Sequence, residues 1–440
     1  MKEYDEVVIG SGVAGMSVAY GLKKAGKNVL IIEENLWGGT CPNRGCDPKK
    51  ILLNSVEARK RIEQLLGKGF SEVPTVDWQE LQAFKRSFTD PVSKNRQKEL
   101  AAADIDYLAG TARFINENTI IVGEEKISAE HFILATGQRP SILPIDGNEF
   151  LQTSTDFLSL SELPQDIIFI GAGYIAFELA MIVHASGSNV TIVHHNQRPL
   201  KEFDEQLVKQ LVKQMEAAGI RFVFDFESQR IIQEGTHYYL QSNDQELQAD
   251  AIFCATGRQP NVERLDLEKA KVETTKHGVV VNDYLQTSNP MIFACGDIIS
   301  RTEPKLTPVA TFEGNYVANY VLGNTKEKIS YPSIPTIVYT SPKLAQVGVT
   351  KKQLTGQEEV VEIDMTNWFT YHRVNEPLAK SQVIYDKAGY LIGASVLSEQ
   401  ADDLINDLNL LISQHTKKEE LEQWIMGYPT VASDLSYLLK

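Results

Sequence analysis

Cysteine is scarce in this sequence: four residues in 440 are too few to staple a chain of that length, so disulfides are not what holds the fold. Long apolar runs are missing too. None approaches the roughly 18 to 20 residues that cross a bilayer, so no membrane span is expected. Positive charge is in deficit, with 43 Lys and Arg against 58 Asp and Glu and a net charge of −15. A surface of that sign repels phosphate backbones and anionic lipid, which argues against nucleic acid and membranes as partners. The chain opens Met1-Lys2-Glu3-Tyr4-Asp5 and passes straight into Val7-Val8-Ile9. That leaves no room for a charged region, an apolar region and a cleavage site, so the expected location is cytoplasmic. What is present is an ordinary globular composition, 42% hydrophobic and 23% charged. At about 150 residues per domain it suggests about three domains.

The strongest positive signal is an internal repeat. Val7 to Glu33 reads VVIGSGVAGMSVAYGLKKAGKNVLIIE, and the segment from Ile167 to His195 follows the same pattern 161 positions later. Gly10, Gly12 and Gly15 fall on Gly171, Gly173 and Ala176, and Gly26 falls on Gly187. Each copy reads as strand, tight turn, helix, strand. The first glycine makes the turn, the second lets a pyrophosphate approach the backbone, and the third small residue packs helix against strand with the anion at the helix N-terminus. Two copies in register predict two dinucleotide sites.

The second strands of the two copies end differently. Glu33 is an acid placed to accept a ribose 2′-hydroxyl. The equivalent place holds His194, with His195, Arg198 and Lys201 close behind. A carboxylate there would repel a 2′-phosphate, whereas a basic cluster would bind it, so NADPH is expected over NADH. The competing reading is a solvated basic loop. A second echo, Ile133-Leu134-Ala135-Thr136-Gly137 against Phe253-Cys254-Ala255-Thr256-Gly257, gives each nucleotide domain a strand ending in a glycine turn.

Just beyond Glu33, Gly38-Gly39-Thr40-Cys41-Pro42-Asn43-Arg44-Gly45-Cys46-Asp47-Pro48-Lys49 places two thiols five apart. The segment after Pro48 is helix-compatible, so Cys46 is expected near a helix N-terminus beside Lys49, which favours the thiolate. Zinc needs closer spacing and further ligands, and none is near, so no metal site is expected. Cys254 and Cys295 lie in apolar strands and read as small buried hydrophobes.

With these motifs in place, the sequence resembles the class I pyridine nucleotide-disulfide oxidoreductases, the flavoprotein family of glutathione reductase, dihydrolipoamide dehydrogenase and mercuric reductase. The GGTCxNxGCxPxK segment carries that family's redox disulfide, and Ala294-Cys295-Gly296-Asp297 matches its GD turn. The resemblance implies an α/β fold with two Rossmann-like dinucleotide-binding domains and an α+β C-terminal dimerisation domain. FAD would fill the first site and the nicotinamide coenzyme the second. The expected divisions are 1–147 for the FAD-binding domain, 148–264 for the NAD(P)H-binding domain, 265–328 for a return segment completing the first, and 329–440 for a homodimerising domain. By resemblance Cys46 faces the flavin and Cys41 exchanges with substrate, Lys49 pairs with Glu178 beside the flavin, and Tyr174 covers the empty nicotinamide pocket. Asp297 meets the ribityl chain and Thr307 begins a loop against the flavin ring. Gly39, Thr40, Thr136, Gly137 and Gly257 complete the expected cofactor set.

Two departures bear on substrate. The family's thiol reductases end with His-Pro-Thr and a nearby Glu, whereas here Tyr428-Pro429-Thr430 is followed by Ser433 and Asp434. A phenol near pKa 10 is poorly matched as a base at neutral pH, though it can protonate a leaving thiolate. Tyr20 and Asn315 stand where glutathione reductases carry arginines for the glutathione carboxylates. Mercuric reductases share the tyrosine but add a cysteine pair near the C-terminus, and no cysteine follows Cys295. The expected activity is NADPH-dependent, FAD-containing reduction of a disulfide through Cys41 and Cys46, with Tyr428 of the partner as proton donor. The alternative is reduction of metal ions, quinones or oxidants by the same electron path.

Overall fold

The structure is a computed structural model and describes residues 1–421 and 423–439. The chain divides into two compact units. The first comprises residues 1–50, 83–141 and 257–330, and the second residues 51–82, 142–256 and 331–440.

In the first unit seven strands form one sheet. Its parallel part runs in the order Asp106–Ala109, Val29–Glu33, Lys2–Ile9, Glu125–Leu134, with Ile292–Ala294 also pairing on Glu125–Leu134. Val7, Val8, Ile31, Phe132, Ile133, Leu134 and Ile292 are fully buried. Strands covered on both faces need such unbroken apolar runs, and each buried side chain of this size contributes about 1.5–3 kcal/mol. The helix Val13–Lys24 connects the first two strands, the crossover that parallel pairing requires. It lies against the helix Thr307–Val321 through small residues: a Cβ on Gly314 would stand 2.6 Å from the Ala14 carbonyl oxygen, and one on Gly21 2.8 Å from the Ala318 Cβ.

The second unit repeats the plan with four parallel strands, ordered Arg221–Val223, Asn189–Val193, Asp166–Ile170, Ala251–Cys254. The helix Tyr174–Ala185 follows the second glycine loop. Phe169 stacks on Phe253 at 5.4 Å, and Phe157 meets Phe253 edge-on at the same distance. Residues 331–439 add a five-stranded antiparallel sheet ordered Thr336–Val338, Lys343–Gly348, Leu391–Ser398, Lys380–Tyr385, Glu359–Asp364. The helix Ala401–Ser413 buries Leu404, Ile405, Leu408 and Leu411, one apolar stripe of 3.6-residue period.

Among the described residues no helix is long and apolar enough to cross a membrane.

Candidate active site

The two glycine loops fold alike because the same residues meet the same constraints. Gly10 adopts φ +108°, and a Cβ there would stand 2.3 Å from the Ala135 carbonyl oxygen; the corresponding values at Gly171 are +105° and 2.6 Å from that of Ala255. A side chain at Gly15 would strike the Gly10 carbonyl at 2.0 Å. Around Gly12 and Gly173, by contrast, a Cβ would meet nothing within 4 Å. Each caps its helix without a side-chain hydrogen bond. Each loop therefore offers unfilled space beside first-turn N–H groups, the setting a pyrophosphate needs.

The strand-end groups occupy equivalent positions with different partners. Glu33 Oε2 accepts from the Ser11 amide at 2.9 Å and from its hydroxyl at 2.7 Å. Ser11 Oγ in turn accepts from the Gly38 amide at 3.0 Å. This chain of bonds ties the glycine loop to the cysteine segment. Gly39 completes the join: at φ +70° its Cβ position lies 2.6 Å from Gly12 Cα, so only glycine fits. His194 continues the backbone pairing of its strand, donating from its amide to the Val223 carbonyl. Burial first, and then His195, hold its imidazole below the usual histidine range.

The echoed turns join in the first unit. Strands Gln138–Pro140 and Arg258–Pro260 pair antiparallel, with Arg258 opposite Pro140. Thr136 Oγ1 donates to the Asn261 carbonyl at 2.8 Å, and Asn261 Nδ2 returns a bond to the Thr136 carbonyl at 2.8 Å. Gly137 and Gly257 both adopt positive φ, +65° and +137°. The GD turn sits nearby in the same unit. Burial raises the Asp297 carboxyl while Arg258 and Lys305 pull it down. The Gly296 amide donates to buried Glu313 Oε2 at 2.6 Å.

The thiols lie at the start of a long helix. Cys46 is the first residue of Cys46–Gln64, and Cys41 lies in the preceding short helix Thr40–Arg44. Thr307, the first residue of Thr307–Val321, reaches both sulfurs: its hydroxyl donates to Cys41 Sγ at 3.3 Å and lies 3.4 Å from Cys46 Sγ. Cys46 is pulled down to about 6, chiefly by the bond from the Cys41 thiol, with Thr307 and Lys49 assisting against burial. Cys41 moves the opposite way, because it is the donor of that bond and is partly buried. One proton is thus shared unequally, leaving Cys46 as the thiolate at neutral pH. Cys254 and Cys295 are both buried.

In the second unit Glu178 is buried on the helix after the glycine loop, where Oε1 accepts from the Tyr339 amide at 2.8 Å. Tyr174 opens that helix and is 44% exposed. Arg198 turns into its own loop, donating from Nη2 to the Phe203 carbonyl at 2.7 Å, with Nε 3.8 Å from Glu205 Oε2. Tyr428 is 67% exposed and stacks on Phe369, with ring centroids 6.1 Å apart. Ser433 and Asp434 face inward instead: Ser433 Oγ donates to the Thr430 carbonyl at 2.6 Å, and buried Asp434 accepts from Thr370 Oγ1 at 3.1 Å. Burial raises the Asp434 carboxyl. Among the described residues, therefore, neither Ser433 nor Asp434 gives Tyr428 the carboxylate partner that the family's histidine has.

Thr307's contact with both thiols, the Ser11 relay and the Asn261 clasp were not anticipated from the sequence. Ser11, standing between two motif glycines, carried a local signal. Thr307 is 261 positions from Cys46 and carried none.

Residues 4–314 match the family described as pyridine nucleotide-disulphide oxidoreductase, and residues 334–438 match its dimerisation domain. The chain is 33% identical to a mercuric reductase of Staphylococcus aureus, over 98% of this chain and 81% of that protein. It is 30% identical to a glutathione reductase of Nostoc sp., over 98% of each. Among solved structures it is similar to the HOCl-induced flavoprotein disulfide reductase RclA from Escherichia coli in its Cu(II) complex, with TM-score 0.91, 26% identity, and coverage of 100% of this chain and 99% of that one. With its two glycine loops, its paired thiols and these matches over the whole length, the chain belongs to the pyridine nucleotide-disulphide oxidoreductase family of FAD-dependent flavoproteins.

Proposed function

We propose that this protein takes electrons from NADPH and delivers them, through FAD and the Cys41-Cys46 pair, to a disulfide. The observation that carries this reading is the polarised thiol pair: Cys46 begins a 19-residue helix with its pKa lowered to about 6, and Cys41 holds the shared proton. Bound FAD would supply the two-electron relay between nicotinamide and disulfide.

The residues divide the remaining work. Gly10, Gly12, Gly15, Glu33, Gly39, Thr40, Thr136, Gly137, Asp297 and Thr307 hold the FAD, and Gly171, Gly173, Tyr174, His194, Arg198 and Gly257 serve the coenzyme side. By function, residues 1–147 and 265–328 are assigned to the FAD domain, 148–264 to the coenzyme domain and 329–440 to the dimerisation domain, with 257–264 packing in the first unit through the pairing of Arg258–Pro260 on Gln138–Pro140. Lys49 supports the Cys46 thiolate by its charge, and Glu178 belongs to the coenzyme-side helix Tyr174–Ala185. In the reduced pair the Cys41 proton passes to Cys46, and the Cys41 thiolate attacks one sulfur of the acceptor disulfide. The S–S bond breaks, one thiolate leaves, and Tyr428 of the partner subunit protonates it. Cys46 then gives up its proton, which restores the Tyr428 phenol, and attacks Cys41 Sγ; the second thiolate leaves as the anion and the Cys41-Cys46 disulfide is restored. The matched dimerisation domain supports a homodimer.

A second reading, reduction of metal ions, quinones or oxidants, is favoured by Tyr428, which stacks on Phe369 while Asp434 turns to Thr370. The similar solved protein is described as HOCl-induced and as a Cu(II) complex, which supports the same reading. An anaerobic spectral titration separates the two. NADPH should raise a long-wavelength thiolate-to-flavin band that a disulfide discharges. If only quinones or metal ions discharge it, the second reading holds. If no band forms, the Cys41-Cys46 assignment fails.

A further inference from the structure

Arg198 is the cation expected to meet a coenzyme 2′-phosphate, and the structure shows it engaged elsewhere. Its Nη2 donates to the Phe203 carbonyl at 2.7 Å and its Nη1 to the Pro199 carbonyl at 3.3 Å, while Nε lies 3.8 Å from Glu205 Oε2. Its side chain is only 26% exposed. Glu205 has a defined backbone position, with its carboxylate 54% exposed. It is the first residue of the helix Glu205–Ala218, whose N-cap Asp204 accepts from the Gln206 and Leu207 amides. Its other oxygen holds Lys209 at 2.7 Å.

The loop bearing Arg198 is anchored at the coenzyme end of the fold. The Leu200 amide donates at 2.9 Å to the carbonyl of Ala172, the residue between Gly171 and Gly173. Leu200 itself adopts φ +44° to make that turn, so the guanidinium hangs from a rigid support near the second glycine loop. The neighbouring imidazole gives little charge, because burial and His195 keep His194 below the usual histidine range. Arg198 and Glu205 also line a cavity of about 480 Å³.

Resting on the NADPH reading above, we propose that Glu205 sets coenzyme preference by competing with the 2′-phosphate for Arg198. A nucleotide with a 2′-phosphate must draw the guanidinium away from the carboxylate, whereas one with a 2′-hydroxyl makes no such demand. Glu205 thus taxes NADPH selectively and is a positioning residue acting through Arg198.

The test is a double-mutant cycle on the full-length holoprotein, reading the Kd of 2′,5′-ADP and the KM values for NADPH and NADH in wild type, Arg198→Ala, Glu205→Gln and the double variant. Glu205→Gln keeps the side chain's size and leaves the Asp204 cap in place. It should tighten 2′,5′-ADP and NADPH by about two- to five-fold, the range of an exposed ion pair, with NADH unchanged. In the Arg198→Ala background the same substitution should do nothing. An equal gain in both backgrounds would mean direct repulsion of the phosphate and would overturn the proposal, as would no gain in either. If Arg198→Ala itself leaves NADPH and 2′,5′-ADP binding unchanged, the NADPH reading fails and takes this proposal with it. An Arg198→Ala loss without a Glu205→Gln gain defeats the proposal alone.

Discussion

Replacing Thr307 by valine tests whether the thiol pair is tuned by the flavin-side helix. The hydroxyl lies 3.3 Å from Cys41 Sγ and 3.4 Å from Cys46 Sγ, and it has one proton to give. When that proton turns from Cys41 to Cys46, the sulfur carrying negative charge, the bond is long and has a soft acceptor, which places it near the ordinary value of about 1 kcal/mol rather than at the charged end of the range. At 1.36 kcal/mol per unit, that loss raises the apparent Cys46 pKa by about 0.7 unit. Starting from about 6, the thiolate of Thr307→Val should titrate close to pH 7. The direction follows from charge: the hydroxyl favours the ionised form, so removing it favours the thiol. Valine conserves shape and keeps the first turn of Thr307–Val321. The assay is the pH dependence of the thiolate-to-flavin absorbance in the two-electron-reduced enzyme, checked by the rate of iodoacetamide alkylation across pH 5 to 9 as a rough window around these values. An unchanged midpoint with flavin content intact would refute the claim that Thr307 stabilises the thiolate. A lowered midpoint would show that burial, not hydrogen bonding, is its main effect on the pair.

Three further outcomes are expected. Gly39→Ala should cost FAD retention and stability together, because its Cβ would stand 2.6 Å from Gly12 Cα, whereas Gly12→Ala, with no atom within 4 Å, should fold normally and lose FAD; the flavin absorbance per chain and the Tm of each variant check this. Glu376 is buried, and burial raises its carboxyl to about 7, so between about pH 4.5 and 7 the native state holds a proton that the unfolded state has lost, and stability falls as pH rises through that window. The deficit above pH 7 is about 3 kcal/mol, and Glu376→Gln should flatten the slope of denaturation midpoint against pH; a slope equal to that of wild type would be the contrary result. Tyr428→Phe keeps the ring on Phe369 but loses the phenol proton, so disulfide turnover should drop by about 100-fold or more if Tyr428 is the general acid, with reduction of quinones unaffected; equal rates with disulfides would favour the metal, quinone or oxidant reading.

The glycine loops were legible because their constraints are local. The positive φ of Gly10 and Gly171 and the contact of Gly15 with the Gly10 carbonyl arise within the strand-turn-helix units, whereas the approach of Gly10 to Ala135 and of Gly171 to Ala255 belongs to the packed sheet; the 161-residue offset displayed the duplication without any knowledge of packing. The helix start at Cys46 was legible for the same reason, since the residues following it are helix formers. The sequence also displayed the absence of a histidine before Pro429. It did not display where the nearby carboxylate points: Asp434 turns into the core towards Thr370, a choice made by packing of segments 64 positions apart.

Sequence alone therefore determined the groups available to this protein: two glycine turns, one with an acidic strand end and one without, and a thiol pair followed by a lysine. Spacing within about 20 residues encodes such features, because a turn, a cap or a period of 3.6 involves only chain neighbours. Tertiary structure decided how that chemistry is tuned. Thr307 reaches the sulfurs because parallel pairing of Ile292–Ala294 on Glu125–Leu134 brings the following helix back into the first unit, and Gly39 must be glycine because the cysteine segment folds over Gly12. Arg198 looks free in the sequence and is held by Glu205 in the fold, since the loop between them closes on itself. Contacts across such separations depend on sheet order and packing density, which no local spacing rule contains.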